Sequence, residues 1–556
     1  MKISSNDLVN LPHFVSFWQY VEYWATIDPD FPAMKYEDQV VFSLQFEEIT
    51  NRLATAFLKL GVQKGDRIVT VLPTRPEYMF VLVAANKIGA ITVPMDVRYR
   101  RSDFVNLIPH LEPKIVISIT KDEKFNFAEA FQKLAHEVEA LKQLDYYFIG
   151  ELWNEFGKPF DELLAGKLPD QSKLDSELAI RKKAQHPNDD MLIIWTGGTT
   201  GFPKAALLSN ENVVAMCLLE NEMIRKYIIS QGVLDRSTLL SNLPPSHVGG
   251  TVEILGVGVV GGYKIVLHDR WSATKTLQSL QDDKVVFYLA APTMWRILMG
   301  HPLLPDTDLS HFKFALISGE IVDLDFLQSM QEKICKTIVN GYGSTESGAE
   351  VTFTAPDDDY TKMVDGYVGK PLKGMEIRII DEEGNHCPPG EKGEVIIRGV
   401  LVCKGYFRNE EENVKGFTPG GYIKTGDLGY LDNEGGLWLS GRLKEIIRVG
   451  TYTVLPQEIE DVVYEHFDLE LAAAVGIPNK ILGEVVWLAI APKEGIIIDD
   501  NDVLDVCQRE LANYKVPKRI VRYVFDPANP PLTRIGKKDR KRLKAEILAA
   551  HDFQAN

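Results

Sequence analysis

The chain of 556 residues is long enough for several domains, and its 45% hydrophobic and 25% charged residues are typical of a globular protein. Its net charge of −17 disfavours a general nucleic-acid role, since phosphate binding needs a basic surface. No transmembrane segment or signal peptide is predicted, and five cysteines without paired spacing indicate reduced thiols in a cytoplasmic protein.

Apolar periodicity predicts strands alternating with helices, which is typical of α/β architecture. The expected strands are 67–72, 91–93, 191–194, 205–208, 284–289 and 313–317, and the expected helices are 46–60, 77–88 and one after Pro292. Open α/β sheets bind ligands at the carboxyl ends of their strands. Ser318, Gly319 and Glu320 therefore lie where a ligand is expected.

The pattern changes near Gly374, where short strands and turns predict a β-rich subdomain at about 374–441. From 442 to 556 the pattern is compact α+β, with helices at 456–464 and 501–511 and strands at 472–476 and 485–491. We therefore expect a large N-terminal domain, 1–441, and a small C-terminal domain, 442–556. The basic residues at 537–544, apart from one lysine, are interpreted as a solvated helix face.

A glycine- and threonine-rich segment, Trp195–Lys204, joins the strands at 191–194 and 205–208. Glycines let a backbone approach an anion, threonines supply hydroxyl donors, and lysine supplies a positive charge. The candidates for phosphate binding are Thr196, Gly197, Gly198, Thr199, Thr200 and Lys204. It is not a Walker A loop, because no Gly-Lys-Ser/Thr closes it and no helix follows directly. Alone, it could also be a plain surface turn.

Four more motifs follow in order: Asn340–Glu346, Tyr422–Asp427, Gly441–Gly450 and Pro531–Lys537. Together with Trp195–Lys204 they resemble the acyl-adenylate-forming superfamily of acyl-CoA synthetases, luciferases and nonribosomal adenylation domains. The resemblance covers nearly the whole chain. It implies a multi-layered α/β N-terminal domain, a mobile α+β C-terminal domain, and the use of ATP, Mg²⁺ and CoA.

The chemistry of the motif residues agrees with this resemblance. Tyr342, between Gly341 and Gly343 in a glycine turn, can lie against adenine together with Asn340, Gly319 and Glu320. Thr345 offers a hydroxyl to phosphate, and Glu346 is an oxygen ligand suited to Mg²⁺. Asp427, expected at a turn, can accept both ribose hydroxyls, and Arg442 would reach ribose or phosphate. The simpler alternatives are a core tyrosine and a turn-forming aspartate.

By resemblance, Lys537 contacts both the acid and the α-phosphate, so it joins Thr345, Glu346 and His247 as a catalytic candidate. Lys444 takes the position of the hinge about which the C-terminal domain rotates. That rotation would bring the loop containing Val449, Gly450 and Thr451 to the CoA tunnel. Two departures are Gly197, where relatives carry serine, and Val449, where many carry glycine.

The segment Pro244–Gly250 resembles the part of the family that lines the acyl site. His247 is expected in the pocket wall, and Val248, Gly249 and Gly250 would form a small apolar surface. Relatives that activate α-amino acids carry aspartate where Val248 stands, so a buried ammonium there would be unpaired. An apolar fatty, alicyclic or aryl acid is therefore predicted, and Glu253 is interpreted as structural.

The leading hypothesis is an AMP-forming carboxylic acid–CoA ligase whose partners are a small-molecule acid, ATP and CoA. One alternative is an adenylating enzyme that loads an acyl carrier protein. Another is a noncatalytic nucleotide-binding homologue, although binding alone does not require Lys204, Glu346, Asp427, Arg442 and Lys537 together. A homodimer is left open.

Overall fold

Alternating strands and helices fill the computed structural model, as the periodicity predicts. It describes residues 11–123, 125–152, 155–165, 170–196, 203–230, 236–319, 322–443, 446–449, 452–479, 482–511, 514–526, 529–532 and 538–550.

The α-helices are α1 (Trp18–Ile27), α2 (Ser43–Lys59), α3 (Pro76–Ile88), α4 (Arg101–Leu111), α5 (Phe127–Glu137), α6 (Glu139–Lys142), α7 (Gln171–Lys183), α8 (Asn210–Ser230), α9 (Val257–Gly261), α10 (Ala273–Asp282), α11 (Pro292–Met299), α12 (Leu324–Lys333), α13 (Glu410–Gly416), α14 (Pro456–His466), α15 (Asp500–Glu510) and α16 (Arg540–Ala550). A π-helix, Gly249–Gly256, runs directly into α9, and short 3₁₀ turns lie at Phe160–Leu163, Leu304–Asp306 and Tyr360–Met363.

The strands are β1 (Pro32–Tyr36), β2 (Gln39–Phe42), β3 (Arg67–Val71), β4 (Ile91–Pro94), β5 (Ile115–Ile119), β6 (Asp145–Ile149), β7 (Lys158–Pro159), β8 (Asp190–Thr196), β9 (Lys204–Ser209), β10 (Thr238–Ser241), β11 (Lys264–Leu267), β12 (Val285–Ala290), β13 (Phe314–Ser318), β14 (Thr337–Ser344), β15 (Ala349–Phe353), β16 (Lys370–Pro371), β17 (Met375–Ile380), β18 (Gly393–Gly399), β19 (Ile423–Leu431), β20 (Leu437–Arg442), β21 (Ile447–Val449), β22 (Tyr452–Val454), β23 (Leu469–Asn479), β24 (Gly483–Pro492) and β25 (Arg519–Arg522). The predicted α/β fold class is confirmed.

A seven-stranded sheet has the order β7-β6-β5-β3-β4-β8-β9. Its central strands β4 and β5 are buried along their whole length, as expected for a parallel sheet covered on both faces. The last strand, β9, runs antiparallel to β8 and places Lys204 opposite Thr196. The two ends of the predicted phosphate-binding segment are therefore cross-strand neighbours.

A nine-stranded sheet has the order β16-β15-β14-β13-β12-β10-β11-β1-β2. The strands from β1 through β11, β10, β12 and β13 to β14 are parallel to their neighbours. Beyond β14 the chain turns back, because β15 pairs with β14 antiparallel. A buried cluster that includes Trp295, Tyr288 and Phe326 packs helices against this sheet.

The C-terminal part folds around the sheet β22-β21-β24-β23, with β25 parallel to β24. Alternate side chains of β23 enter two cores. On one face Ala472 and Ala474 pack with residues of α14 and α15, and on the other Ala473 and Val475 pack with Leu543 of α16. The β-rich part before it is the four-stranded sheet β17-β18-β19-β20.

The chain divides into two compact units. The first contains residues up to 364 with 368–377 and 397–423, and the second contains 365–367, 378–396 and the chain from 424 onward. The boundary between 441 and 442 stays a prediction. No helix in the described part of the chain is both long and apolar enough to cross a membrane.

All five cysteines are free thiols. Burial raises the pKa of Cys335 and of Cys403 to about 12 and that of Cys507 to about 11. Burial also raises the pKa of Cys387, and it raises that of Cys217 well above its ordinary value. These thiols are therefore protonated at neutral pH.

Candidate active site

Three of the residues predicted to contact adenine, Gly319, Asn340 and Gly341, lie where the parallel pairing of β13 with β14 ends. Gly319 follows β13 directly, and the register pairs Ile317 with Asn340 and Ser318 with Gly341. Gly319 has φ +96°, a conformation that favours glycine. The predicted grouping of Gly319 with Asn340 and Gly341 therefore exists in the structure, whereas Glu320 lies outside the described residues.

The prediction that Tyr342 occupies a glycine turn is wrong. Tyr342 lies within β14 and is 8% exposed. Packing between strands requires a glycine at position 343, because a Cβ on Gly343 would lie 1.8 Å from the carbonyl oxygen of Ala349. The turn comes after the strand and carries Thr345 and Glu346, both half-exposed.

Lys204 and Glu346 meet through a tyrosine that the sequence analysis did not identify. The Tyr406 hydroxyl donates a hydrogen bond of 2.9 Å to Oε1 of Glu346. Nζ of Lys204 lies 4.8 Å from the centroid of the Tyr406 ring and forms an ion pair with Glu412. The candidate phosphate-binding lysine and the candidate magnesium ligand thus share one contact.

Two features hold Tyr406 in place. Its backbone bridges to Ala206 in β9, the strand that begins at Lys204. Burial raises the pKa of Tyr406, and the charge of Glu346 and the hydrogen bond with Glu346 raise it further. The hydroxyl therefore keeps its proton and stays a donor. A Gly-Tyr pair before the acidic start of α13 is the sequence signal that could have identified Tyr406 and Glu412.

The contact with Glu412 shows that this lysine binds an anionic oxygen. The hydrogen bond from Lys204, followed by that from Lys415, lowers the pKa of Glu412, which is therefore ionised. A phosphate group arriving at Lys204 would compete with this carboxylate. The arrangement suits reversible binding of a polyphosphate.

Mg²⁺, which the resemblance implies, fits a site with one protein carboxylate. Among the described residues no three His, Cys, Asp or Glu side chains are grouped as a metal centre. Mg²⁺ commonly keeps several waters and binds through one or two carboxylates and substrate phosphates. Glu346, half-exposed and in contact with the same tyrosine as Lys204, supplies such a carboxylate.

Tyr406→Phe is expected to lower kcat/KM for ATP about tenfold, because a hydrogen bond to a charged group is worth about 1.5–3 kcal/mol. The phenyl ring still lies against Lys204. Steady-state pyrophosphate release over a range of ATP concentrations measures the effect. Tyr227→Phe, which removes a hydroxyl bonded to Thr337 in the same unit, is the matched control. An equal loss in both variants would contradict the role of Tyr406.

The predicted acyl-pocket segment contains a histidine beside an unpredicted ion pair. Nε2 of His247 lies 3.9 Å from Oδ2 of Asp96, and Asp96 accepts a hydrogen bond of 2.8 Å from Nε of Arg98. Burial is the main cause that lowers the pKa of His247. The charge of Asp96 raises this pKa and the charge of Arg98 lowers it, and the net shift is downward. The imidazole is therefore neutral at pH 7, as suits a pocket wall. Asp96 follows β4, a position that the strand-end rule could have identified.

The two glycines of this segment have different surroundings. A Cβ on Gly250 would lie 2.2 Å from the carbonyl oxygen of Pro244, so close packing requires glycine there. A Cβ on Gly249 would instead lie 3.2 Å from Oε2 of Glu253. Val248 and Gly249 are half-exposed, which is compatible with a pocket wall.

In the second unit, Asp427 and Arg442 form a cross-strand pair. They are register partners in β19 and β20, and Nε of Arg442 lies 2.8 Å from Oδ1 of Asp427. Asp427 is 6% exposed and lies within β19, so its expected position at a turn is wrong. The carboxylate oxygens of Asp427 can also accept hydrogen bonds from ribose hydroxyls.

The basic C-terminal run is not simply a solvated helix face. Fully buried Glu460 of α14 accepts hydrogen bonds of 2.7 Å from Lys538 and 3.0 Å from Nη2 of Arg540. The N–H of Ala474 donates another to Oε1, at 2.8 Å. Burial alone would raise the pKa of Glu460, but Arg540 and Lys538 lower it to about 2. Glu460 therefore anchors Lys538, which directly follows Lys537, and Arg540, three residues after Lys537.

The remaining predicted residues are located only in part. Val449 is buried in β21 and pairs with Tyr452 in β22. Thr196 ends β8 opposite Lys204. The predictions for Gly197, Gly198, Thr199, Thr200, Glu320, Lys444, Gly450, Thr451 and Lys537 lie outside the described residues.

Comparison with protein families decides the assignment. The model of the AMP-binding enzymes matches residues 21–407, and that of their C-terminal domain matches residues 458–537. The chain belongs to the AMP-binding enzyme family. This confirms the predicted superfamily and the predicted class of enzyme, an AMP-forming acid–CoA ligase.

Curated relatives match this member of the family over nearly its whole length. It is 27% identical to the long-chain-fatty-acid–CoA ligase of Bacillus subtilis (strain 168), with 94% of each chain covered. It is 28% identical to the oxalate–CoA ligase of Arabidopsis thaliana, over 88% of this chain and 89% of that one. These relatives differ widely in the acids that their names state.

Solved structures share the fold. ATP-bound MatB from Rhodopseudomonas palustris superposes with a TM-score of 0.80 at 22% identity, covering 96% of this chain and 99% of that one. The amide bond synthetase McbA from Marinactinospora thermotolerans gives a TM-score of 0.79 at 22% identity, with the same coverage. At this identity the likeness concerns the fold alone.

Proposed function

We propose that this AMP-binding enzyme joins CoA to a carboxylic acid whose chain is apolar next to the carboxyl group, by way of an acyl-adenylate. The observation that carries the proposal is the contact group of Lys204, Tyr406 and Glu346 beside the strand ends of β13 and β14. A cation for phosphate and a carboxylate for Mg²⁺ are what an adenylating site needs. The half-exposed surface of Val248 and Gly249 supports an apolar fatty, alicyclic or aryl group.

In the first half-reaction the carboxylate oxygen attacks the α-phosphorus of ATP, and pyrophosphate leaves. Both reactants are anions, so the site must neutralise like charges while aligning them. Lys204 and the threonines of Trp195–Lys204 would hold the leaving pyrophosphate, and Lys537 would lie between the acid and the α-phosphate. Mg²⁺ on Glu346 would supply further positive charge. Asp427 would hold the ribose, and Gly319 with Asn340–Gly343 would hold adenine.

In the second half-reaction the sulfur of CoA attacks the acyl carbonyl, and AMP leaves with the bonding electron pair. Turning about Lys444 would remove Lys537 and bring the segment with Val449, Gly450 and Thr451 to the thiol. Neutral His247 would add no charge to the acyl pocket. The CoA-ligase names of the relatives support CoA rather than a carrier protein as the acceptor.

The test is a pyrophosphate-release screen with ATP and Mg²⁺ over short, medium, long, alicyclic and aryl acids, with and without CoA. Repeated turnover that depends on CoA, with an acyl-CoA found by mass spectrometry, is the expected result. Release limited to one turnover despite CoA would favour an acyl carrier protein as acceptor. No release with any acid would contradict the proposal and favour a noncatalytic homologue.

A further inference from the structure

Three buried carboxyl groups lie together in the first unit, outside the adenylating residues described above. Glu220 comes from α8, Glu253 from the π-helix and Glu350 from β15, and their exposed fractions are 0%, 3% and 5%. The π-helix contacts both α8 and β15, and the charge of Glu350 acts on both other glutamates. We call this group the carboxyl cluster.

The carboxyl cluster has more acceptors than donors. Both carboxyl oxygens of Glu220 and Oε1 of Glu253 are buried and have no hydrogen-bond partner. Ser318 donates a hydrogen bond to Glu350. Buried polar groups in a purely structural network are normally satisfied, because each unsatisfied group costs about 1–3 kcal/mol. The unpartnered oxygens therefore indicate a ligand that donates hydrogen bonds.

The carboxyl cluster adjoins two predicted parts of the active site. Oε2 of Glu253 lies 3.2 Å from the position of a Cβ on Gly249, which belongs to the predicted acyl wall. Glu350 is the register partner of Gly343 in the hairpin of β14 and β15, and its partner Ser318 ends β13. A group bound by these carboxyls would lie near an acyl chain held by the wall.

The chemistry of the cluster selects one class of ligand. A second carboxylate, as in a dicarboxylic acid, would meet a like charge at every glutamate of the cluster that is ionised, and it would not favour ionisation of the others. A protonated nitrogen supplies both the positive charge and the N–H donors that the unpartnered oxygens lack.

We propose that Glu220, Glu253 and Glu350 bind a protonated nitrogen at the far end of the acyl chain. The substrate is then a carboxylic acid with an apolar spacer and a terminal ammonium or guanidinium group. This inference rests on the proposed function and names its substrate class. It agrees with Val248, since the aspartate that would pair an ammonium next to the carboxyl group is absent.

The energetics of the buried glutamates support this assignment. Burial, with the charge of Glu350 added, raises the pKa of Glu220 well above its ordinary value. Burial also raises the pKa of Glu253. The charge of Glu350, a hydrogen bond with Glu350 and the charge of Glu220 raise it further. Without a cation these carboxyls therefore hold protons, whereas a bound cation would favour their ionised forms.

The test compares pairs of acids that have the same length and differ in the terminal atom. An example is 6-aminohexanoate against heptanoate, within a series of chain lengths that also includes ω-guanidino acids and their branched alkyl counterparts. The readout is kcat/KM for pyrophosphate release with ATP, Mg²⁺ and CoA. We expect the cationic acid of the best-fitting length to exceed its neutral partner at least about tenfold.

Glu253→Gln is expected to lower kcat/KM for the cationic acid at least about tenfold and to leave the neutral partner unchanged or improved. Glu211→Gln, an exposed glutamate at the start of the same helix α8 as Glu220, is the control and should change neither. The comparison of acids on the wild-type enzyme needs no variant to fold. Thus a misfolded variant would still leave the inference testable.

The outcomes separate this inference from the proposed function. Preference for the neutral acid across all pairs would overturn the inference and leave the ligase intact. Preference for a quaternary ammonium acid over its primary ammonium counterpart would also overturn it, because a quaternary nitrogen donates no hydrogen bond. Failure to activate any acid, charged or neutral, would contradict the proposed function itself.

Discussion

Lys537→Ala is expected to lower the rate of acyl-adenylate formation about a thousandfold. Two unit charges about 4 Å apart interact by about 4 kcal/mol at an effective dielectric constant near 20, which corresponds to about three decades in rate. The lysine is proposed to stabilise the meeting of two anions, the acid and the α-phosphate. Exchange of labelled pyrophosphate into ATP, with a saturating acid, measures this half-reaction.

The second half-reaction provides the internal control for Lys537. Thioester formation from supplied acyl-adenylate and CoA should stay within about twofold of wild type, since we propose that the lysine is away from the site in that step. Lys541→Ala, which removes an exposed lysine of α16, should change neither half-reaction. Equal loss of both half-reactions in Lys537→Ala would show that the residue supports the fold or the acyl pocket instead.

Glu460→Gln is expected to destabilise the second unit by about 3 kcal/mol, because removing one partner of a buried ion pair leaves the other charge uncompensated. Here Lys538 and Arg540 both lose their buried carboxylate. Since Lys538 directly follows Lys537 and Arg540 lies three residues after it, we also expect pyrophosphate exchange to fall at least about tenfold. Calorimetry should show that the midpoint temperature of unfolding of this unit is lower by about 10 °C.

The loss of stability should depend on pH. Glu460 has a pKa of about 2 in the folded chain, below its ordinary value of 4.5. Its stabilising effect is therefore complete above about pH 5 and declines as the pH falls, because the unfolded chain then binds a proton that the folded chain excludes. The difference in unfolding free energy between the wild type and Glu460→Gln should become smaller as the pH falls from 6 to about 3. Glu465→Gln, exposed on the same helix, is the control, and a gap independent of pH would contradict the role of Glu460.

Periodicity predicted most elements of this fold because burial on both faces leaves a strong signal. The run 67–72 became β3 and the stripe 46–60 became α2, each within a few residues. Glycines were interpreted less well. Those around Tyr342 and before Asp427 suggested turns, whereas both residues lie in strands. A glycine required by close approach of another strand has the same local signature as one required by a turn.

The contacts of charged side chains were the least predictable part of the site. Tyr406 reaches Glu346 across 60 residues, and Lys538 reaches Glu460 across 78. No local pattern encodes such pairings, because they depend on which strands become neighbours in the sheets. The carboxyl cluster illustrates the same limit: Glu253 was interpreted as structural, and its unpartnered oxygens appear only once α8, the π-helix and β15 are in place.

The five protonated thiols have a consequence for side reactions. An acyl-adenylate is a strong electrophile, and thiolates are the nucleophiles that attack such carbonyls. Each cysteine of the chain has a raised pKa, so its thiolate is scarce at neutral pH. The acyl-adenylate should therefore acylate the enzyme's own cysteines only slowly before the thiol of CoA reacts with it.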